Sequence, residues 1–531
     1  MTDASAFDRG RALDRLGREQ FDVLVVGGGI TGAGVALDAA ARGLRTALVE
    51  RHDFASGTSS KSSKLVHGGL RYLQQKEYFL VYENLAERQR LLKNAPHLVR
   101  PLPFLVPAYG SPAKMRAISS ALWIYDLTGG FRIGSVHRRL SAAEALAHTP
   151  SLRADGLVGA HLYLDAQADD ARLTLAVLRT AVADYRAVAA NHTAVVELLR
   201  DVGGRICGAT VEADGASIDV RASVVVSATG VWADRLRGDG IRSIRPAKGV
   251  HVTLPAALVA TDVALVLPVP SDGRSIFVVP WPGTDRVYVG TTDTDYDGPL
   301  EAPVCTAADV GYLLAAVNAA LSSTISPDDV LGTWAGLRPL VAGGGGPSAR
   351  SADLSRRHRV DRSPDGLVTI TGGKLTTYRA MAEDTIDEVI AALCRRATPS
   401  RTAGLALHGA PTGPLADPAD HLMSRYGTDA RVVAAMVDAH PALGEPLVPT
   451  LPYLRAEAVY AARYEMARSV DDVLARRTRA VLLARDASMA AAPDVAGLLA
   501  RELGWTVAEA AADVERFRAA VAAERLAAAS A

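Results

Sequence analysis

The stretch FDVLVVGGGITGAGVALDAAARGLRTALVE, residues 21–50, places a glycine-rich turn and a helix between two apolar runs. The first run, VLVV, is typical of a strand buried in a parallel sheet. Gly27, Gly29 and Gly32 then fit the G-x-G-x-x-G spacing, and the second run ends at Glu50. Such glycines permit a tight turn and a close pyrophosphate, while the acid accepts from a ribose hydroxyl. The stretch therefore predicts a βαβ unit that binds a dinucleotide.

The composition sets the broad class of the protein. The chain has 531 residues, 49% of them hydrophobic, which predicts a globular protein of two or three domains. Lys plus Arg and Asp plus Glu both number 58, and this neutral balance argues against nucleic acid as a partner. Three widely spaced cysteines show no metal-binding pattern, so we expect no metal and a cytoplasmic location. We expect neither a secretory signal nor an apolar run of the ~18 residues that a membrane span needs.

Two later glycine turns bear on which dinucleotide binds, because the βαβ unit alone does not distinguish NAD from FAD. VVVSATGVWAD, residues 224–234, ends an apolar strand at Gly230. TITGGKLTTYR, residues 369–379, offers a second helix N-terminus, whose free N–H groups favour an anion. One dinucleotide touched by three distant segments fits FAD, whereas two ordinary α/β turns are the structural alternative.

The stretch SKLVHGGLRYL, residues 63–73, gathers His67, two glycines, Arg71 and Tyr72. The glycines allow close approach to the backbone, and the arginine and tyrosine are donors suited to an anion. This loop therefore predicts a place where a small anionic molecule is held.

Longer motifs carry a resemblance to a known family. DVLVVGGGITGAG, SSKSSKLVHGGLRYL, YLDAQADDARLTLA, GTTDTDY, WAGLRPL, LSRRHRV and TGGKLTTYRAMAEDTID occur in that order. The chain resembles the FAD-dependent glycerol-3-phosphate dehydrogenases of the aerobic bacterial and mitochondrial type, from about residue 20 to 390 and more loosely beyond. The resemblance implies an α/β fold, with a glutathione-reductase-like FAD-binding Rossmann domain, a β-rich substrate cap and a C-terminal helical domain.

The same resemblance divides the chain. We expect the oxidoreductase region at residues 1–398 and the helical domain at 399–531, with a linker rich in Pro, Gly and Ala between Thr398 and Pro418. Within the first region, the expected FAD-binding segments are about 20–95, 150–245 and 336–398. The substrate cap is expected mainly at 96–149 and 246–335.

Residue roles also follow from the resemblance. The expected substrate-binding residues are Arg71, Tyr72, Arg338, Arg356 and Lys374. Arg350 and Arg357 lie close to Arg356 in sequence, so the choice of Arg356 depends on its match to SR-x-H. The expected FAD contacts are Gly27, Gly29, Gly32, Glu50, Thr58, Ser59, Ser63, His67, Gly68, Gly69, Gly230, Gly373, Lys374, Leu375 and Thr376.

The implied reaction oxidises sn-glycerol 3-phosphate to dihydroxyacetone phosphate, with hydride passing from C2 to flavin N5. A base must take the hydroxyl proton, and histidine titrates close to neutral pH. His251, in KGVHV, is preferred over His67, and Arg338 is expected to stabilise the developing alkoxide. The alternatives are a glycerophosphate oxidase that uses O₂ and a non-catalytic flavin-binding metabolite sensor.

The implied partners are a quinone acceptor and the inner face of the cell membrane, where such proteins lie peripherally; a homodimer is left open. HLVRPLPFLVPAYGSPAKMRAISSALWIYDL, residues 97–127, has the composition of an interfacial patch, although a buried cap is the alternative. Near the C-terminus, DDVLARRTR, residues 471–479, is interpreted as a salt-bridged helix face, with a docking surface as the alternative.

Overall fold

A computed structural model of the chain describes residues 7–74, 77–238, 240, 242–342, 357–396, 398–413 and 420–529. The strands are β1 (Gln20–Val26), β2 (Thr46–Val49), β3 (Leu65–Val66), β4 (Val99–Tyr109), β5 (Arg138–Ser141), β6 (Leu157–Ala168), β7 (Val188–Ala190), β8 (Ala194–Arg200), β9 (Ile206–Ala213), β10 (Ala216–Ser227), β11 (Ile244–Pro255), β12 (Ala264–Pro268), β13 (Ser275–Trp281), β14 (Arg286–Gly290), β15 (Thr294–Asp295), β16 (Gly332–Val341), β17 (Arg359–Arg362) and β18 (Val368–Thr371).

The helices are α1 (Arg9–Arg18), α2 (Ile30–Ala41), α3 (Arg71–Gln74), α4 (Tyr78–Asn94), α5 (Pro112–Leu127), α6 (Ala142–His148), α7 (Asp170–Ala183), α8 (Ala233–Arg237), α9 (Ala256–Val259), α10 (Ala307–Ala320), α11 (Tyr378–Leu393), α12 (His421–Tyr426), α13 (Ala430–Ala439), α14 (Arg455–Tyr464), α15 (Ala480–Leu483), α16 (Arg485–Leu503) and α17 (Val507–Ala529). None of these described helices combines the length and the apolarity that crossing a membrane requires.

The predicted βαβ unit forms β1, α2 and β2. The two strands pair in parallel from Val23 opposite Thr46 to Val26 opposite Val49. Both strands are almost wholly buried, as their unbroken apolar runs predict. Helix α2 starts directly after Gly29, so its first turn faces the carboxyl ends of the parallel strands.

A first sheet extends this unit into a three-layer arrangement. Its strands run in the order β17, β18, β10, β1, β2, β7, and β9 and β8 continue from β10 as an antiparallel ribbon. Helices α2, α7 and α11 cover one face with apolar side chains, while α1 and the ribbon cover the other. This layering confirms the predicted α/β fold class with a Rossmann-like domain.

A second sheet forms the β-rich part. Its strands run in the order β15, β11, β14, β13, β12, β4, β6, β3, with β16 beside β11 and β5 beside β6. Strands β6 and β16 fall at least partly in the segments predicted for FAD binding, 150–245 and 336–398, yet both pair within this sheet. The domain boundaries remain predictions, but the pairing shows that the chain crosses between the sheets more often than expected.

The proline-rich segment Val99–Tyr109 forms strand β4. Pro101, Pro103 and Pro107 are separated by even numbers of residues, so the N–H groups that they lack would all face the same side of the strand. On the parallel side, β12 pairs only with Phe104 and Leu105. The other side pairs with β6 along the length of β4. Because the missing N–H groups share one side of β4, the prolines leave the donors on its other side intact.

The C-terminal helical part is tied to the first sheet by buried ion pairs. Residues Asp472–Arg477 form a π-helical turn before α15. Arg477 is fully buried and donates two hydrogen bonds to Asp53, at 2.6 and 2.8 Å. Arg476 joins the same carboxylate at 2.6 Å. The run is salt-bridged, as the sequence indicates, but it is buried, and Arg476 and Arg477 pair with Asp53 on the other part of the chain as well as with acids of the run itself.

Candidate active site

A cavity of about 830 Å³ lies where the two sheets meet, within the size range of small-molecule sites. It brings together residues from both ends of the sequence. The predicted site residues that line it are Gly27, Gly29, Glu50, Thr58, Ser59, Ser63, His67, Tyr72, Gly230, His251, Arg338, Gly373, Lys374, Leu375 and Thr376.

The first turn of α2 provides the expected cradle for a pyrophosphate. The Ile30 N–H donates to Ser59 Oγ at 2.8 Å, so the loop after β2 closes over this turn. A Cβ on Gly29 would lie 3.0 Å from the same Ser59 oxygen, so any side chain there would force the Ser59 hydroxyl to shift. Gly27 has a φ of 110°, and a Cβ there would lie 2.6 Å from the Ala228 carbonyl oxygen. The turns after β1 and β10 are therefore in direct contact.

Glu50 sits at the end of β2 with its carboxylate already oriented. One oxygen accepts from the Gly28 N–H at 2.6 Å and the other from the His52 N–H at 2.8 Å. Burial raises the pKa of Glu50, and these two N–H donors oppose the rise. Each carboxylate oxygen keeps acceptor capacity for a further donor, so the residue fits the role of a ribose acceptor.

The third glycine turn precedes α11. The helix begins at Tyr378, so Gly373 and Lys374 lie in the turn before it rather than in its first turn. The His67 N–H donates to Thr376 Oγ1 at 3.3 Å, which joins this turn to the HGGLRYL loop. Lys374 Nζ lies 3.8 Å from the centroid of the Tyr72 ring, a cation–π contact at the cavity wall.

Three predicted FAD contacts lie outside the lining that the structure describes. A Cβ on Gly32 would overlap the Gly27 carbonyl oxygen, so this glycine serves helix–strand packing. The Gly68 N–H donates to Tyr125 Oη at 3.0 Å, and the Gly68 carbonyl accepts from Asn84 at 2.9 Å. Gly69 packs against the Tyr72 ring. Gly68 and Gly69 thus fix the loop that carries His67.

The predicted substrate arginines are only partly described. Arg71 begins α3, and its side chain is not among the described atoms. Arg356 and Arg350 lie outside the described residues. Arg357 pairs with Glu77 at 3.0 Å on the surface. The choice among these three neighbouring arginines therefore stays a prediction.

His251 lies on β11 in an apolar, cationic environment. Its ring stacks on Trp334, with centroids 4.7 Å apart and planes 8° apart, and its Nε2 is 2.8 Å from Ser63 Oγ. Burial, with the positive charges of Lys64 and Arg338, holds the pKa of His251 well below 6.5. The imidazole is therefore neutral at pH 7 and able to accept a proton.

Arg338 extends from β16 across the neighbouring strand β11. Its guanidinium passes over Gly249, where a Cβ would overlap it. It donates to Thr291 Oγ1 at 3.2 Å, to the Thr292 carbonyl at 3.1 Å and to Asp293 Oδ1 at 3.3 Å. These bonds hold a positive charge at the cavity wall, a suitable place for an anionic substrate or a developing oxyanion.

Several residues around His251 were not predicted. Trp334 faces it across the β11–β16 pair, and the Tyr288 ring lies 6.3 Å from its ring. Lys64 Nζ is 4.7 Å from the Trp334 centroid. The aromatic residues are more than 35 positions from His251 in sequence, so only the strand register brings them together. Lys64 lies within the motif SSKSSKLVHGGLRYL, but a lone lysine at that position does not indicate a role.

A cluster of acids elsewhere does not suggest a metal. Among the described residues, Asp53, His192 and Asp472 place ligand-type atoms within 4.8 Å of one another. Arg476 pairs with both carboxylates at 2.6 Å. This guanidinium already compensates the acids, so the cluster is explained as a buried salt-bridge network.

Comparison with known proteins identifies the family to which this chain is similar. Residues 22–387 match the family model described as FAD dependent oxidoreductase, and residues 371–510 match the C-terminal domain of alpha-glycerophosphate oxidase. Glycerol-3-phosphate dehydrogenase 2 of Mycobacterium tuberculosis is 43% identical, covering 98% of this chain and 91% of that protein. The mitochondrial glycerol-3-phosphate dehydrogenase of Homo sapiens is 41% identical, covering 92% of this chain and 71% of that protein. The crystal structure of the Bacillus halodurans glycerol-3-phosphate dehydrogenase with FAD has a TM-score of 0.77 at 31% identity, covering 98% of this chain and 97% of that one.

The cofactor is FAD, and its binding gives a first testable prediction. Gly29→Val should purify with little flavin, because the added side chain would occupy the space beside Ser59 that the pyrophosphate needs. The ratio of flavin to protein absorbance after purification measures this. Gly311→Val is the matched control, since no described atom lies within 4 Å of a Cβ at this exposed position on α10. A fully flavinated Gly29→Val protein would contradict the assignment.

Proposed function

The chain belongs to the FAD-dependent glycerol-3-phosphate dehydrogenases and oxidises glycerol 3-phosphate, and we propose that His251 accepts the hydroxyl proton and that a quinone is the final electron acceptor. The observation that carries the proposed role of His251 is the shared cavity. A neutral imidazole and the cations Arg338 and Lys374 line the same space as the dinucleotide turns. When bound, FAD supplies the acceptor for the C2 hydride.

Substrate recognition is assigned to cations at the cavity wall. A phosphate dianion is bound best by several charge-assisted donors, and arginine offers two in parallel. Lys374 comes from the turn before α11 and Arg338 from strand β16, and both line the cavity. Arg71 and Arg356 are proposed to complete the set. Tyr72 positions the Lys374 ammonium through its ring. Because the whole chain is neutral, this attraction for an anion is local.

The oxidation step needs a proton acceptor held in one orientation. Ser63 Oγ contacts His251 Nε2, and Trp334 fixes the plane of the imidazole by stacking. Arg338 lies on the neighbouring strand, where its charge would stabilise an alkoxide as the hydroxyl proton leaves. His251, Ser63 and Arg338 thus supply the acid–base part of the reaction.

The quinone and membrane parts of the proposal are supported by an exposed apolar surface, here called the α4–α5 patch. It comprises Tyr78, Phe79, Tyr82, Trp123, Ile124, Leu127 and Phe131, each at least 43% exposed. The turn that contains Phe131 packs against both α4 and α5, and Arg132 stacks on the Tyr82 ring. Aromatic and aliphatic side chains with a flanking cation suit the surface of a bilayer. We propose that this patch rests on the inner face of the cell membrane.

The patch also lies near the cavity. Helix α3, which carries Tyr72, packs against both α4 and α5. Tyr72 lines the cavity. An apolar electron acceptor dissolved in the membrane would therefore approach the cofactor site from the side of the patch.

Flavin reduction tests the function directly. Anaerobic mixing of the holoenzyme with sn-glycerol 3-phosphate should bleach the flavin, and glycerol should not, because it lacks the dianion that Arg338 and Lys374 attract. Stopped-flow absorbance measures both. Reoxidation should be faster with a soluble quinone than with O₂. Faster reoxidation by O₂ would favour an oxidase, and a flavin that stays yellow would favour a sensor and contradict the proposal.

The pH dependence tests His251. Its pKa lies below 6.5, and only the neutral imidazole accepts a proton, so kcat/KM should rise with pH through an apparent pKa below 6.5 and then level off. His251→Ala should lose this limb and slow flavin reduction by about 10²- to 10⁴-fold. The flavin should stay bound, since β11 carries no glycine turn of the cofactor site.

His67→Ala is the control for this assignment. His67 lies between two loops of the cofactor site, so its loss should alter the flavin spectrum or affinity more than the pH profile. If His67→Ala removes the limb while His251→Ala retains it, the two roles must be exchanged.

Vesicle binding tests the membrane proposal. The double variant Phe79→Ser, Leu127→Ser should sediment less with anionic vesicles, because each side chain is more than two-thirds exposed on the α4–α5 patch. Reduction of a quinone within those vesicles should fall, while activity with a soluble quinone should not. Val202→Ser with Val507→Ser removes exposed apolar groups from other elements and should leave sedimentation unchanged. Equal sedimentation of both double variants would refute the assignment of the patch.

A further inference from the structure

The loop 60–64, with sequence SKSSK, carries the serine that contacts His251. On the side of the second sheet, Tyr288 Oη donates to the Ser63 carbonyl at 2.9 Å. Trp334 Nε1 donates to the Ser62 carbonyl at 3.2 Å. These bonds place the Ser63 hydroxyl beside the imidazole, so the orientation of His251 depends on where this loop lies.

Asp170 holds the other side of the loop. This fully buried carboxylate accepts from the Ser62 N–H at 3.0 Å and from Ser62 Oγ at 2.7 Å. Lys64 Nζ lies 3.2 Å from it and also donates to the Ser60 carbonyl at 3.1 Å. One carboxylate therefore binds backbone and side-chain groups of the same short loop.

Arg479 reaches this carboxylate from the helical part of the chain, 309 residues away. Its guanidinium donates to Asp170 Oδ1 at 2.5 Å and to the Ser60 carbonyl at 2.6 Å. A further bond to the Ala475 carbonyl, at 2.8 Å, fixes the guanidinium to its own segment. Arg479 is fully buried, whereas the nearby Arg476 and Arg477 reach Asp53 instead.

We propose that Arg479 is a positioning residue for the proton acceptor: it fixes Asp170 and loop 60–64, and through them the Ser63 hydroxyl that orients His251. This inference rests on the proposed role of His251. It means that the helical part of the chain completes the active site, although it contributes no residue that lines the cavity among those described.

The charged groups around His251 make this role measurable. Lys64 faces it from loop 60–64, Arg338 from β16, and the neutral phenol of Tyr288 from β14. Burial and the Arg479 charge lower the pKa of Lys64 to about 8, so Lys64 is a cation near pH 6. A loosened loop would admit water to the imidazole and move Lys64 away from it. Both changes would raise the pKa of His251 toward 6.5.

The test compares Arg479→Gln with the wild-type holoenzyme. Flavin content should stay near wild type, since the hydrogen bonds of Arg479 reach none of the three glycine turns. The rate of anaerobic flavin reduction by glycerol 3-phosphate should fall ~10- to 100-fold, the effect of a reacting group displaced by a fraction of an ångström to an ångström. The rising limb of the pH profile should move to higher pH, with little change in KM.

Arg172→Gln is the matched control. Arg172 lies on α7, as Asp170 does, and its buried ion pair with Glu465, at 2.6 Å, also joins the two parts of the chain. Its hydrogen bonds go to Glu465 and the Arg425 carbonyl rather than to loop 60–64. The pH limb of Arg172→Gln should therefore stay in place even where its thermal stability falls.

The outcomes separate this inference from the proposed function. If Arg479→Gln keeps the wild-type rate of flavin reduction and the wild-type pH profile, the inference alone is overturned. The same holds if the pH profile of Arg172→Gln shifts as that of Arg479→Gln does. If Arg479→Gln does not fold, Ser62→Ala removes one hydrogen bond to Asp170, and an unshifted limb in that variant would overturn it. A wild-type flavin that glycerol 3-phosphate does not bleach would instead overturn the proposed function.

Discussion

The buried carboxylate of Asp170 is the interaction on which the arrangement of the site depends. A carboxylate removed from water is stable only when donors satisfy it, and here they come from Ser62, Lys64 and Arg479. Those donors belong to the loop after β2 and to the helical C-terminal part. The hydrogen bonds and ion pairs from these donors offset the cost of burying the Asp170 charge. They also fix two distant segments of the chain against the start of α7.

The electrostatics of the cavity follow from a conflict between two requirements. Holding a phosphate needs fixed cations, but the charges of Lys64 and Arg338 also disfavour protonation of His251. For the proposed role of His251 this effect is favourable, because a neutral imidazole is the form that accepts a proton. A bound dianion would offset part of the positive field, so substrate itself would make the imidazole more basic as the reaction begins.

The two sheets carry different parts of the site. The parallel strands of the first sheet end in glycine turns, where backbone N–H groups and a helix start can meet an anionic cofactor. The antiparallel second sheet carries His251 and Arg338 on neighbouring strands, so the register between β11 and β16 sets their spacing. The cavity lies between these two rigid surfaces, which suits a reaction that depends on holding substrate against cofactor.

The sequence by itself determined the βαβ unit, the α/β class and the motifs of the cofactor loops. The βαβ unit is local, since its strand periodicity, glycine spacing and the acid at the end of β2 all lie within 30 residues. The α/β class and the cofactor loops follow from the family resemblance that the longer motifs carry. The tertiary structure alone decided that proline-rich β4 is a strand, that β6 and β16 join the second sheet, and that the 471–479 run is buried. Each of these depends on a partner far away in the chain. Trp334 and Arg479 acquire their roles only because strand register and a buried carboxylate bring them to His251 and loop 60–64, and no local pattern encodes such long-range pairing.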